Sequence, residues 1–251
     1  MRLPHLFEFM DQDWVPASLR TTLREILECG NARPFRPYYD WVAGEVGREA
    51  KDGGFKNVVE LGAGTAPVTR LLAQEPDAGR LTLIPCDLNP DRTAYELLAA
   101  EHPGVVAPRL TPVDFSVPHP WEPDTLLFLS ATFHHVPPEA RDGVLAALTD
   151  SARRVMIFEP LQCRVSSLVF VFFSVVPALI LPLWFLNRPG TLRRIVWCWL
   201  IPLAPLTFWW DGIVSCLRQW GERGWRDAAG RLGLRVRTFD RRLFSYFLTF
   251  E

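Results

Sequence analysis

From Asn57 onward the chain alternates short apolar runs with stretches of helical spacing, and this alternation constrains its fold more than any other feature. The apolar runs are Asn57–Leu61, Leu81–Cys86, Arg109–Val113, Asp124–Ser130 and Arg154–Phe158. Helices are predicted between them over Pro67–Gln74, Asp91–Glu101 and Pro138–Asp150. Strands joined by helices of this length imply a parallel α/β sheet with helices on both faces. Right-handed crossovers then bring the carboxyl ends of the strands to one edge, where ligands of such sheets bind. Near the end, an amphipathic helix over Gln219–Leu232 precedes two more strands, Leu234–Phe239 and Phe244–Phe250, joined by a turn at Asp240–Arg242.

The first 50 residues carry no strand pattern. Pro16 opens a helix at its first position that runs to a stop at Gly30, and a second helix covers the run YYDWVAGEVGREA. Both are expected to pack over the edge of the sheet as an N-terminal helical cap, 1–55. Between the fifth strand and the last helix lies a long apolar insertion, 165–218. The catalytic domain is then 56–164 together with 219–251.

The sharpest motif is the run VVELGAGTAP, Val58–Pro67. Gly62 and Gly64, with Ala63 and Thr65, turn the chain tightly after the strand and let backbone approach a ligand. A dinucleotide fold wants G-x-G-x-x-G so that pyrophosphate sits on a helix N-terminus, and no third glycine stands at that spacing. Glu60 at the strand tip would repel a diphosphate, yet it suits a ligand with a cationic amino-acid part such as S-adenosylmethionine. Asp87, followed by Leu88, ends the second strand where a carboxylate can bond both ribose hydroxyls. Asp114 and Phe115 follow the third run and offer an adenine amine an acceptor and its ring an apolar wall. Ser130, at the end of the fourth, lines the pocket floor.

The segments ELGAGTAP, CDLN and VDF, with the terminal strand pair, resemble the class I, Rossmann-like S-adenosylmethionine-dependent methyltransferases from Asn57 to Phe250. The resemblance implies a seven-stranded sheet whose last strand is antiparallel, S-adenosylmethionine as cofactor, and cofactor contacts at the residues just named. One departure is Ala66, where many members have glycine. More narrowly, the runs HLFEFMDQDWVPASLR, FHHV and WWDGIVSCLRQW look like a bacterial subgroup of uncharacterised methyltransferases.

Methyl transfer is an in-line displacement in which the protein aligns the acceptor and, for a hydroxyl or amine, removes a proton. His134 and His135 follow the fourth strand and are the candidate bases, the alternative being that one packs on the sheet and the other caps a helix. Glu159, past the fifth strand, either faces the substrate or caps a turn. In the insertion, Asp211, Ser215 and Arg218 share one helical face, so they either pair structurally or handle a polar group, Asp211 as a catalytic residue and the other two as substrate contacts.

Val165–Leu186 is a run of 22 residues without a charge, and a second uncharged run covers Ile195–Trp210. A 22-residue helix rises about 33 Å, enough for a bilayer core. Pro177, Pro182, Pro202 and Pro205 argue against simple spans, as does the arginine-bearing loop 187–194 that two spans would expose on the far side. Kinked or interfacial helices making membrane contact through 165–217, on the cytoplasmic face of the cell membrane, fit better than a span; a soluble cap is the alternative. Both place an apolar ceiling over the transferred methyl and favour a small hydrophobic or lipid-like acceptor.

Net charge is −1, so no nucleic-acid partner is expected, and five scattered cysteines without a close pair argue against a metal site and for a reduced compartment. The acidic N-terminus lacks the apolar core of a signal peptide. Two competing readings stand beside methyl transfer: a non-catalytic cofactor-binding membrane protein, and a nicotinamide-dependent oxidoreductase, which the missing glycine disfavours.

Overall fold

The computed structural model describes residues 6–32, 35–242 and 245–251. In chain order its helices are α1 (Ala17–Ala32), α2 (Arg36–Asp52), α3 (Pro67–Leu72), α4 (Arg92–Glu101), α5 (Arg141–Ser151), α6 (Val165–Phe173), α7 (Val175–Trp184), α8 (Thr191–Ile195), α9 (Leu203–Arg218) and α10 (Glu222–Leu232). The strands are β1 (Asn57–Leu61), β2 (Thr82–Cys86), β3 (Thr125–Ser130), β4 (Arg154–Glu159), β5 (Val236–Arg241) and β6 (Tyr246–Phe250). The chain divides into two compact units. A helical unit holds the described residues up to Arg36 together with Leu161–Gln219, and a sheet unit holds Pro37–Pro160 with Trp220–Glu251. The boundary therefore falls at 36/37 rather than at 55. The first helix folds with the apolar insertion, and the second with the sheet.

The sheet runs β2-β1-β3-β4-β6-β5. β1 to β4 are mutually parallel, and β6 lies antiparallel between β4 and β5. Six strands are present among the described residues, not seven. The missing one is Arg109–Val113, and the reason is proline. The segment 105–113 does track the free edge of β2. Leu83 N–H donates to Val105 O at 2.8 Å, Ala107 N–H to Leu83 O at 2.9 Å and Arg109 N–H to Pro85 O at 3.0 Å. Pro85 has no N–H to answer Ala107, so the ladder loses a rung and narrows to a single bridge, Leu83 to Val106. At the other end the predicted turn Asp240–Arg242 is partly strand, since β5 continues through Arg241; Phe244 lies outside the described residues.

Alternation along the strands assigns the two faces. Leu127, Leu129, Val155, Ile157, Leu248 and Phe250 share one core with Val144, Leu145 and Leu148 of α5 and Trp225 of α10. The residues between them point the other way, toward α2. Phe158 meets Tyr39 and Trp41 with ring centroids 6.1 and 6.2 Å apart, and Phe247 meets Trp41 at 5.5 Å. α2 suits that place because Tyr39, Val42, Ala43, Val46 and Ala50 form one buried stripe.

In the helical unit, Val15 and, on α1, Leu19, Leu23 and Ile26 pack with Ala178, Leu181, Cys198 and Ala204. Most prolines of the insertion sit where helices tolerate them. Pro177 and Pro205 lie in the first turns of α7 and α9, and Pro202 closes a π-turn over Val196–Leu200; only Pro182 is interior. Val165–Trp184 is long and apolar enough to cross a membrane by length and composition. The start of the second apolar run is held by charge: Glu25 of α1 accepts from buried Arg194 at 2.7 and 2.9 Å and from Arg193 at 2.5 Å. Removing one member of a buried ion pair leaves its partner uncompensated. Glu25→Ala is expected to lower stability by about 3 kcal/mol, read as a lower midpoint in urea unfolding, while Glu28→Ala at an exposed position of the same helix costs less than about 1 kcal/mol.

Candidate functional site

The carboxyl ends of β1, β2 and β3 converge on the glycine turn. Gly62, Gly64 and Ala66 have φ of 64°, 55° and 56°, all left-handed. The turn is needed because β1 must hand over at once to α3, whose first residue is Pro67. Gly62 is fixed by crowding as well as by φ, since a Cβ there would lie 2.4 Å from Thr132 Cγ2. A Cβ on Gly64 would meet nothing within 4 Å. The two glycines thus do different work: one permits a contact inside the protein, the other leaves an open cradle. Ala66 holds, as a non-glycine residue, the conformation for which glycine is the cheaper choice.

Thr132 ties this turn to the end of β3, its hydroxyl shared between Ser130 O at 2.7 Å and Gly62 O at 3.1 Å. Ala63 N–H donates to Cys86 O at 3.0 Å, and Thr65 is half-buried beside it. Asp87 sits at the rim. Its Oδ2 accepts the Gly64 N–H at 2.9 Å and its Oδ1 the Asn89 N–H at 2.8 Å. Leu88 next to it is exposed. The chain thus brings Gly62, Ala63, Gly64, Thr65, Asp87 and Ser130 to one edge of the sheet.

Glu60 lies beneath that edge, 1 % exposed. Its Oε2 accepts the Thr69 N–H at 2.8 Å and the Thr69 hydroxyl at 2.6 Å, anchoring the first turn of α3. Oε1 is buried with no hydrogen-bond partner among the described residues. Burial raises this carboxyl to about 7 despite the Thr69 bonds, which favour the ionised form. Asp114 and Phe115 follow the extended segment 105–113. Asp114 Oδ1 closes a turn on Ser116 N–H at 2.8 Å in an exposed loop, while Phe115 packs on the core.

The two histidines part company. His134 is buried, and its Nδ1 lies 2.8 Å from Oε2 of Glu159, itself 0 % exposed; Glu159 Oε1 also accepts the His134 N–H at 3.2 Å. Arg141 steadies the same loop, donating to Val136 O at 2.9 Å and His134 O at 3.3 Å. His135 is half-buried, its ring centroid 4.3 Å from that of His134. Glu159 is therefore the orienting partner of a histidine.

Asp211, Ser215 and Arg218 share a face of α9, as predicted, and each is bonded within the helical unit to the N-terminal segment. Asp211 accepts the N–H groups of Phe9 at 2.7 Å and Met10 at 3.1 Å; Ser215 and Arg218 both reach Glu8 Oε1 at 3.1 Å. These bonds are the structural pairing, the first of the two alternatives considered for them. Tyr39 and Thr69 were missed. Tyr39 hydrogen-bonds Ser130, and burial drives its phenol above the ordinary range. A tyrosine on the buried stripe of an amphipathic helix carries no local signal beyond packing. Thr69, nine residues beyond Glu60, could have been found as the donor that a buried strand-end acid requires.

No family model matches the chain, and no curated protein matches it. Among solved structures the chain is similar to an O-methyltransferase family protein from Burkholderia thailandensis at 12% identity and a TM-score of 0.57, covering 96% of this chain and 61% of that one. It is more distantly similar to the methyltransferase CalO6 (18% identity, 79% and 58% covered, TM-score 0.48). It is also similar to the magnesium protoporphyrin IX methyltransferase from Synechocystis (14% identity, 96% and 88% covered, TM-score 0.47). This chain spans about three fifths of the length of the first two. The fold is that of the first of these, a Rossmann-like methyltransferase fold.

Two outcomes follow from the turn. Gly62→Ala forces a clash and a strained φ, and is expected to cost at least about 2 kcal/mol in urea unfolding. Gly64→Ala carries only the strain of its φ, and is expected to cost about 1 kcal/mol in the same measurement. Glu60 gives a pH signature. Below about pH 4.5 it is protonated in both states. Between 4.5 and 7 the unfolded chain releases a proton that the fold retains, so its contribution to stability falls as pH rises by about 3 kcal/mol, then levels off. Comparing unfolding midpoints at pH 4 and 8, Glu60→Gln should lose less stability than the wild type by about that amount.

Proposed function

We propose that this chain is an S-adenosylmethionine-dependent methyltransferase acting on a small hydrophobic or lipid-like acceptor. The observation that carries the reading is the strand-end constellation of the sheet unit: a buried, unpartnered Glu60 Oε1, the rim carboxylate Asp87, and open space over Gly64. These residues fit that cofactor. Glu60 supplies a buried acceptor for a cationic amino acid, Asp87 an acceptor for ribose hydroxyls, and Gly64 room for close approach of backbone. They fit a diphosphate poorly, since both side chains are acidic. When bound, S-adenosylmethionine supplies a methyl group on a sulfonium that is already a good leaving group.

The rest falls to the protein. Glu159 Oε2, 2.8 Å from Nδ1 of His134, orients the ring as a carboxylate orients a catalytic histidine. In this reading His134 takes the proton of an acceptor hydroxyl or amine as the methyl transfers, with Glu159 and Arg141 as positioning residues. His135, stacked on it and half-buried, lines the acceptor side.

Calorimetry with S-adenosylmethionine tests the first step: micromolar binding is expected, weakened at least about tenfold by Asp87→Ala, which removes hydrogen bonds from a charged acceptor. A well-folded wild type that binds no S-adenosylmethionine sinks the reading. Turnover of labelled methyl donor on hydrophobic extracts tests the second: His134→Gln should lower kcat by about 10²–10⁴ with cofactor affinity unchanged, the range for loss of a general base. An unchanged kcat would return His134 to a packing role.

A further inference from the structure

The helical unit carries an outer surface that the methyl-transfer reading does not use. Val165, Val169, Phe172, Val176, Leu179 and Leu183 recur every four or three residues along α6 and α7 and are 42–76% exposed. The opposite side of the same helices is buried, with Val171, Ala178 and Leu181 at 0–2%. Beyond α7 the apolar surface goes on through Leu192 and Trp199–Leu203, exposed again. Trp199 belongs to this surface, since its Nε1–H donates to Leu179 O at 2.7 Å. Soluble proteins seldom expose a contiguous apolar surface of this size without a partner.

Charge identifies the partner. The 46 residues of 165–210 contain no aspartate, glutamate or lysine and three arginines. Arg193 and Arg194 are spent on Glu25, and Arg188 is exposed at the end of the apolar face, next to Trp184 and Leu186. Exposed tryptophans and a cation edging an apolar face, with no acid among them, match the interfacial layer of a bilayer with anionic headgroups.

The packing of the unit also sets how deep it goes. Val165–Trp184 has 20 residues and would rise about 30 Å, the thickness of a hydrocarbon core. However, α1 packs along α7 through Leu19, Leu23 and Ile26, presents Arg24 and Glu28 outward, and holds the Glu25 cluster. A span would drag those charges into lipid. The return path is also not straight, since 191–200 and 203–218 meet at a 72° bend. The bundle is amphipathic as a body, with α1 on the wet side.

We propose that the helical unit docks in the plane of an anionic phospholipid bilayer, inserting the outer face of α6 and α7 and the Trp199 edge without crossing. The proposal is independent of methyl transfer, because it concerns binding by the intact chain with or without a cofactor.

Flotation with vesicles tests it, using the full chain freed of detergent in the presence of phosphatidylcholine with or without phosphatidylglycerol. The chain is expected to float with the vesicles, about fivefold more with phosphatidylglycerol at low salt, and to be released by alkaline carbonate. Phe172→Glu with Leu183→Glu, both at exposed positions, should lose flotation at least tenfold while keeping the wild-type unfolding midpoint. Quenching of tryptophan fluorescence by brominated lipid, weakened in Trp199→Phe, gives a second readout that does not depend on the charge variants. Three results overturn the proposal: no flotation of the wild type, resistance to carbonate, which would mean a span, or a vesicle-indifferent dimer that Phe172→Glu converts to monomer, which would make the face a contact with a second copy.

Discussion

The site depends on one close approach, that of Thr132 to Gly62. Two parallel strands, β1 and β3, end side by side, and each must turn without filling the space the other needs. Thr132 settles this by sharing one hydroxyl between the carbonyls at both strand ends, and Gly62 settles it by having no side chain to be struck. Once that contact is made, Gly64 is thrust to the edge, where Asp87 can take its N–H, and Ala66 is forced into left-handed backbone so that α3 can begin. The helix start then supplies the Thr69 donors that let Glu60 be buried at all. A chain of local demands, each met by a particular residue, ends in an edge that is acidic, open and rigid.

Much of this was legible. The strand–turn–helix rhythm from Asn57, the glycine pair and the carboxylates at strand ends are short-range patterns, and short-range patterns are what a sequence displays. β1 and the carboxyl ends of β2 and β3 fall where the pattern put them. The third edge strand failed for a reason also written locally but in the neighbour: Pro85, in β2, withholds the N–H that the segment 105–113 needed. Strand propensity read along one segment cannot register a donor missing from another.

What was not legible depends on long-range choice. Asp211, Ser215 and Arg218 stand out as charged or polar members of an apolar helix that either pair or meet a polar group, yet nothing near them names Glu8, Phe9 or Met10, some 200 residues away, as their partners. The same holds for Glu25 with Arg193 and Arg194, and for Tyr39 with Ser130. Histidine spacing could not say which of two neighbours would be held by a carboxylate; Glu159 decides it, because it ends the adjacent strand at the register of the loop after β3.

The order of the strands has a consequence for how the chain is made. β6 is made after β5, yet its place is between β4 and β5, with ladder bonds on both sides. α1 is made long before the residues that cover its apolar stripe, 178, 181, 198 and 204. Neither unit can close from the portion already synthesised. During translation the nascent chain therefore carries an uncovered amphipathic helix until residue 204 has been made and an unfilled place in its sheet until β6 has been made, and chaperones that shield apolar surface have that interval in which to act.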